Sequence, residues 1–185
     1  FPNLKDHHEF YCFGHLIEGA VAYFQATGKD KLLKAAERFA DYVAANFGTE
    51  EGKLHGYPGH EIAEMALVRL YELTGKEKYL NLARYFVDER GKRPYYFDQE
   101  HPEEVKKGHE DELRYFYNQA HLPVREQDEA FGHSVRAVYL YSGMADVARL
   151  TGDETLYGAC RRLWDNITEK KMYVTGGIGS THLGE

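Results

Sequence analysis

A carboxylate at the end of a glycine-rich stretch is the group in this sequence best suited to chemistry. The segment MYVTGGIGSTHLGE contains Gly176, Gly177 and Gly179 and leads to Glu185. Glycine permits positive backbone dihedrals and close approach of the backbone to a ligand, which an ordinary connecting loop rarely needs. A carboxylic acid delivered by such a turn can protonate a leaving oxygen, the first of the two roles that glycoside hydrolysis requires. The residues show no convincing candidate for the second role, nucleophile or base.

Histidines form a second candidate set, because imidazole can donate or accept hydrogen bonds with a ligand near neutral pH. We expect the Gly-His pairs to open the first helix of each repeat, so that the helix starts place several imidazoles around one cavity. His8 and His133 lie at nearly the same distance before their Thr-Gly pairs, so His8 and His15 both remain candidates. The pairs are Gly14-His15, Gly59-His60 and Gly132-His133.

The elements that must position these groups form an internal repeat. Aligning the Thr-Gly pairs at 27–28, 74–75 and 151–152 superposes the segments ATGKDKLLKAAERF, LTGKEKYLNLARYF and LTGDETLYGACRRL. Apolar residues recur at helical spacing on both sides of each glycine, and each glycine suits a helix C-terminal cap. Each unit is therefore predicted to be an αα-hairpin. An insert from 91 to 129 is predicted to hold a short helix around 103–118 and the extended segment AHLPVREQ.

The spacing of the repeats favours a closed ring over an open solenoid. A solenoid tends to keep a near-constant period, whereas the interval between Thr-Gly pairs increases markedly from the first to the second. We therefore predict an all-α fold in which αα-hairpins form part of an (α/α)6 toroid, with loops that build a pocket. The helices account for about half of such a ring. Its open edge would expose apolar faces, so we expect the isolated chain to self-associate, as a homo-oligomer or an aggregate.

Composition excludes several classes of function. The 185 residues contain 23 Lys and Arg against 30 Asp and Glu, a formal net charge of -7 without the basic clusters of nucleic-acid binding. No apolar run approaches the roughly 18 residues that span a membrane. The two cysteines, Cys12 and Cys160, favour a reducing compartment, and we expect a cytoplasmic protein. The first residue is not methionine, so we expect further sequence outside the chain.

A helical metal site is the alternative interpretation of the first histidines. In HHEFYCFGH, the side chains of His8, Cys12 and His15 would share one helix face, and all three are zinc-ligand types. No fourth ligand is evident, so we expect Cys12 to pack as a small apolar residue behind the helix start. Cys160 is expected at a small buried position of the repeat, without a nucleophilic role.

Four ordered segments carry a family resemblance: HEFYCFGHLIEGAVAYFQATGK, GYPGHEIAEMALVRLYELTG, PVREQDEAFGHSVRAVYLYSGMADVARLTGD and MYVTGGIGSTHLGE. Together they resemble glycoside hydrolase family 127, the β-L-arabinofuranosidases. The resemblance implies an (α/α)6 catalytic barrel followed by β-sandwich domains, of which residues 1–185 are the N-terminal part. It also implies release of β-L-arabinofuranose from oligosaccharides or glycoproteins with retention of configuration.

The resemblance also assigns residues. It implies that Glu185 is the acid/base and that substrate is bound by His8 or His15, by Pro58, Gly59 and His60, and by His133. The family's nucleophile is a cysteine on a zinc ion held by a glutamate and further cysteines, none of which corresponds to a residue of this chain. The isolated chain is therefore expected to be inactive.

Two other functions remain open from the residues. One is an α/α-toroid sugar isomerase or epimerase that uses histidines as acid and base. The other is a helical-repeat module that binds a peptide in its groove, although such a scaffold needs neither the glycine-rich turn nor the histidines.

Overall fold

The computed structural model describes residues 1–106 and 113–180, and these ranges form helices and no strand. The long helices are α1 (Glu9–Thr27), α2 (Lys31–Asn46), α3 (Ala63–Thr74), α4 (Glu77–Glu89), α8 (Ser134–Thr151) and α9 (Glu154–Asn166), and the short ones are α5 (Tyr96–Glu100), α6 (Pro102–Lys106) and α7 (Leu113–Tyr117). A 3₁₀ turn covers Val124–Glu126, and a π-helical turn, Ile167–Lys171, follows α9. The predicted all-α class is confirmed.

Three glycines end the first helix of each hairpin, as the repeat predicts. Gly28, Gly75 and Gly152 have φ of 69°, 67° and 67°, in the left-handed region that glycine adopts without strain. The amide of each glycine donates to a carbonyl of the last helical turn. The chain can therefore reverse within two or three residues, and α1 pairs with α2, α3 with α4, and α8 with α9.

The first helices of the three hairpins pack side by side, with α3 between α1 and α8. Two glycines allow this close approach. A Cβ atom on Gly14 would lie 2.5 Å from the Ile62 side chain, and one on Gly143 would lie 2.8 Å from Cβ of Glu64. The second helices α2, α4 and α9 cover the apolar faces of the first, which gives two helical layers around a continuous core. This layering is an arc of an α/α toroid.

The insert between α4 and α8 differs from the sequence prediction. The single helix expected at 103–118 has α6 and α7 at its two ends, and residues 107–112 between them lie outside the described residues. The segment predicted to be extended contains the 3₁₀ turn. Arg125 of that turn contacts carboxylates of two different hairpins, Asp88 at 2.7 Å and Asp153 at 2.6 Å. These ion pairs join residues far apart in sequence, so the local pattern that predicted an extended segment could not show them.

The surface of α8 and α9 relates to the expected self-association, and the apolarity of the helices relates to membrane insertion. The outer side of α8 and α9 has a groove of about 650 Å³ that is lined by Val138, Tyr157 and Trp164, and 67% of the Trp164 surface is exposed. Self-association through such a face stays a prediction. Among the helices in the two described ranges, none combines the length and apolarity needed to cross a bilayer.

Candidate active site

The four histidines singled out from the sequence lie together. The ring centroid of His60 is 5.6 Å from that of His8 and 5.8 Å from that of His133. Two tyrosines complete the group, with Tyr11 4.4 Å from His15 and 4.6 Å from His60, and Tyr139 6.1 Å from His15. We call these six residues the histidine cluster: His8, Tyr11, His15, His60, His133 and Tyr139.

The helix α1 supplies three members of the cluster. His8 is the residue that precedes the first turn, and Tyr11 and His15 follow three and seven positions later, on the same face. The expectation that Gly14-His15 opens the helix is wrong, because α1 begins at Glu9 and Gly14 lies inside it against α3. His8 is the structural counterpart of His133, which precedes the first turn of α8 in the same way.

Neither tyrosine was among the residues predicted from the sequence. Tyr11 lies within the HEFY motif, three residues after His8 and four before His15, whereas Tyr139 lies six residues after His133, which is not a same-face spacing on a helix. The helical spacing from His8 and His15 could have identified Tyr11 but not Tyr139. Their distance to His60, which belongs to another hairpin, is decided by how the helices pack.

His60 is placed by the loop before α3 and is 6% exposed. Its Nδ1 atom lies 2.9 Å from the backbone carbonyl oxygen of Glu61. A carbonyl oxygen only accepts, so Nδ1 carries the proton and Nε2 keeps a free lone pair. Burial lowers the pKa of His60 to about 4, and the positive charge of Arg136 acts in the same direction. His60 therefore offers a neutral hydrogen-bond acceptor to a ligand.

Pro58 and Gly59 lie behind His60 and are buried. The Pro58 carbonyl accepts from Arg90, and the Gly59 carbonyl accepts from Asn118 Nδ2 at 2.9 Å and from Arg136 Nη1 at 3.0 Å. Their backbone oxygens thus bond to the protein. The direct binding of substrate by Pro58 and Gly59 stays a prediction.

A charged group with no exposed surface lies beneath this turn. Arg90 Nη1 is 2.8 Å from Glu61 Oε1, and Arg90 Nη2 is 3.5 Å from Glu64 Oε1. Complete burial raises the pKa of Glu61 to about 8, against the lowering effect of Arg90, and the neighbouring Glu64 carboxylate raises it further. Arg90 is shared by the two carboxylates, and although Arg136 also lowers the pKa of Glu61, burial is the larger effect and favours the neutral form of this side chain.

A cavity of about 460 Å³ extends from the start of α8 to the glycine-rich turn, with Gly132, Ser134, Tyr173 and Gly179 among its lining residues. The turn closes through a hydrogen bond from the Tyr173 amide to the Gly177 carbonyl, 2.9 Å long. The positive dihedrals expected from its glycines are present at two of them, with φ of 85° and 96°. Glu185 lies outside the described residues.

The described ranges do not support a metal site. They contain no group of three or more His, Cys, Asp or Glu side chains that could hold a metal ion. Cys12 is exposed, so the expectation that it packs as a small apolar residue is wrong. Its position on α1 turns it away from the core formed by Phe13 and Ile17. Cys160 is half-buried, and burial raises the pKa of its thiol to about 11, which suppresses the thiolate needed for nucleophilic attack.

A family model described as β-L-arabinofuranosidase, GH127 catalytic domain, matches residues 2–185. The chain belongs to glycoside hydrolase family 127. The resemblance drawn from the four motifs is therefore confirmed.

Related proteins agree with this membership. The chain is 46% identical to a non-reducing end β-L-arabinofuranosidase of Bifidobacterium longum subsp. longum over all of its length and 29% of that protein. A crystal structure of a family 127 β-L-arabinofuranosidase from Geobacillus stearothermophilus superposes with a TM-score of 0.92 at 51% identity, covering 100% of the chain and 29% of that structure. A second structure, of a family 127 β-arabinofuranosidase, superposes with a TM-score of 0.85 at 50% identity, covering 98% of the chain and 26% of that structure. The chain thus spans under a third of the length of these relatives.

Proposed function

We propose that this chain is the N-terminal part of the catalytic domain of a retaining β-L-arabinofuranosidase. Its histidine cluster would bind the terminal sugar of an oligosaccharide or glycoprotein, and Glu185 would act as acid/base. The observation that supports this most directly is the convergence of His8, His15, His60 and His133 from three hairpins in a family 127 domain. The relatives whose names record the activity lend further support.

The cluster has the chemistry of a site for a neutral sugar. Sugars present hydroxyls that donate and accept hydrogen bonds, and apolar C–H faces that pack on aromatic rings. His60 supplies an uncharged acceptor, while half-buried Tyr11 and Tyr139 supply both ring surface and hydroxyl groups. A neutral acceptor suits a hydroxyl, whereas recognition of a sugar phosphate would require cationic groups.

Glu185 would take part in both halves of the reaction. As an acid it would protonate the glycosidic oxygen while the bond to the anomeric carbon breaks. As a carboxylate it would then accept a proton from the water that releases the sugar from the enzyme. The cavity between the start of α8 and the glycine-rich turn supports this role, because a carboxylate that follows the turn would act next to His133.

The nucleophile would come from polypeptide that these 185 residues do not include. Cys12 is exposed beside His7 and Glu9, and the Cys160 thiol lies in the outer layer with a raised pKa. Neither cysteine belongs to the histidine cluster, and the described residues do not fit a zinc site. We therefore assign no step of the reaction to either cysteine, and we expect the isolated chain to be inactive.

The test is hydrolysis of a β-L-arabinofuranoside by the protein that contains this chain, with the first-formed anomer identified by proton NMR. Release of the β anomer supports the proposal. Release of the α anomer contradicts retention, and no cleavage of β-L-arabinofuranosides contradicts the activity. Aldose–ketose exchange without glycoside cleavage would instead establish the isomerase alternative.

A further inference from the structure

We propose that Asn118 and Arg136 are positioning residues that hold His60 in the orientation and tautomer required for binding sugar. This inference rests on the proposed function only for its consequence on catalysis. In the loop before α3, both side chains donate to the same carbonyl oxygen, that of Gly59.

The backbone of Gly59 is held from three directions. Its amide donates to the Leu4 carbonyl at 3.0 Å, so the N-terminal segment passes directly over the turn. Its carbonyl accepts from Asn118, which follows α7, and from Arg136, which belongs to α8. The residue immediately before His60 is therefore hydrogen-bonded to three segments that are distant in sequence. The positions of these segments fix the backbone from which the imidazole extends.

Asn118 is itself held rigidly. Its side chain is 2% exposed, and its backbone carbonyl accepts from Arg90 Nη1 at 2.7 Å. The same guanidinium donates to the Pro58 carbonyl through Nη2. Arg90, which also contacts the Glu61 and Glu64 carboxylates, thus connects both the donor residue and the loop to one buried charged group. An asparagine that is fixed at its backbone donates from a defined position, which a freely rotating side chain could not do.

Arg136 links two members of the histidine cluster. Its guanidinium carbon lies 4.8 Å from the centroid of the Tyr117 ring, which in turn lies 5.8 Å from the ring of His133. The same guanidinium donates to Gly59, next to His60. Because Arg136 is 6% exposed, this contact is largely protected from water. Its loss should therefore disturb His60 through Gly59 and His133 through Tyr117.

The cost of leaving the Gly59 carbonyl without a donor supports a positioning role for Asn118 and Arg136. A buried carbonyl that loses all of its hydrogen-bond donors is left desolvated and unpaired, which is unfavourable. With two donors on Gly59, removing one leaves the other, whereas removing both leaves an unpaired carbonyl behind the imidazole. The loop is then expected to rotate so that this oxygen finds another donor, which shifts His60 and its contact with the Glu61 carbonyl.

The variants that test this are Arg136→Met, Arg136→Lys, Asn118→Ala and the pair Arg136→Met with Asn118→Ala. Arg162→Met is the control, because Arg162 also donates to backbone carbonyls, those of Arg125 and Gln127, but away from the cluster. The first readout is the pair of ¹⁵N shifts of the His60 imidazole, which report the tautomer without any activity. The second is the separation of KM from kcat on a β-L-arabinofuranoside.

We expect the double variant to lose the pure Nδ1–H signature and to raise KM about tenfold or more, since the two donors together hold one buried carbonyl. Arg136→Lys should restore part of the loss, and Arg162→Met should change neither readout. If the double variant does not fold, Asn118→Ala and Arg136→Lys carry the same test with smaller shifts. Wild-type imidazole shifts and KM in folded variants would overturn the proposal. Altered shifts in a protein that never cleaves arabinofuranosides would instead contradict the proposed function alone.

Discussion

The Nδ1 atom of His60 lies 2.9 Å from the carbonyl oxygen of Glu61, and this contact decides which nitrogen of the imidazole carries the proton. The acceptor nitrogen Nε2 is left for the cluster, where His8, His133 and Tyr11 surround the ring. A ligand hydroxyl must therefore act as donor toward His60. The neighbouring histidines and tyrosines carry imidazole and hydroxyl groups that can each donate or accept, so they can form the remaining hydrogen bonds to the ligand.

His60 is expected to remain neutral well below physiological pH. Burial places its pKa at about 4 in the folded protein, below the usual value of 6.5. An NMR titration of histidine-labelled protein should show a midpoint near pH 4 for the signal that disappears in His60→Gln. Between pH 6.5 and 4 the unfolded chain binds a proton that the folded chain does not, so His60 lowers stability as pH falls through this window. A midpoint between pH 6 and 7 would contradict the assignment.

Removing cluster imidazoles should weaken sugar binding. His60→Ala and His133→Ala each delete hydrogen-bonding capacity next to the other ring, and we expect an affinity loss of about tenfold or more for each. Isothermal titration with an arabinofuranoside measures it. His55→Ala is the control, because His55 is exposed and outside the cluster. Equal affinities for wild type and both cluster variants would remove these residues from the site.

Glu185→Gln should reduce hydrolysis of ordinary glycosides by about 10²–10⁴-fold, the usual contribution of general acid–base catalysis. Substrate affinity should change little, because the amide keeps the shape of the side chain. The loss should be smaller for substrates with good leaving groups, which need less protonation. Glu169→Gln, a change at an exposed glutamate of the π-helical turn, serves as control. An unchanged rate on poor leaving groups would exclude Glu185 as the acid.

The free energy of unfolding of Glu61→Gln, measured relative to that of the wild type, should be higher at pH 8 than at pH 5. In the folded protein the pKa of Glu61 is raised to about 8, so the folded chain keeps a proton that the unfolded chain releases above about 4.5. The wild type therefore loses stability as pH rises through this window, at up to about 1.4 kcal/mol per pH unit. Urea unfolding of both proteins at the two pH values measures the difference. A steeper loss in Glu61→Gln than in the wild type would contradict the protonated state.

Gly59→Ala should destabilise the fold and release the N-terminal segment. A Cβ atom at this position would overlap the backbone carbonyls of Leu4 and Lys5, which no side-chain rotation can relieve. Overpacking of this kind costs about 1–3 kcal/mol. Gly19→Ala is the matched control, because its Cβ would meet no atom within 4 Å and helix propensity should add about 0.5–1 kcal/mol of stability. The melting temperature should fall in Gly59→Ala and rise in Gly19→Ala. A Gly59→Ala melting temperature at or above wild type would show that the segment moves without cost.

The local patterns determined the hairpins. Leu33, Ala36 and Ala40 recur at helical spacing, and the Thr-Gly pairs specify where each helix ends, because a glycine cap depends only on the dihedrals of a few neighbouring residues. The four ordered motifs likewise identified the family, and the glycine-rich motif with the histidines gave the candidate site, whose role stays a prediction. These signals lie within short stretches of chain, so no knowledge of packing was needed.

Only the tertiary structure decided the geometry of the site. Tyr11 and Tyr139 meet around His60 because Gly14 and Gly143 let α1 and α8 approach α3, a property of helix pairs. The convergence of Asn118 and Arg136 on one Gly59 carbonyl joins segments about sixty and eighty residues apart, and each of these residues is an ordinary polar residue in its own sequence context. Composition and spacing thus identified the groups able to do chemistry, while packing determined the orientation, proton and charge that those groups present.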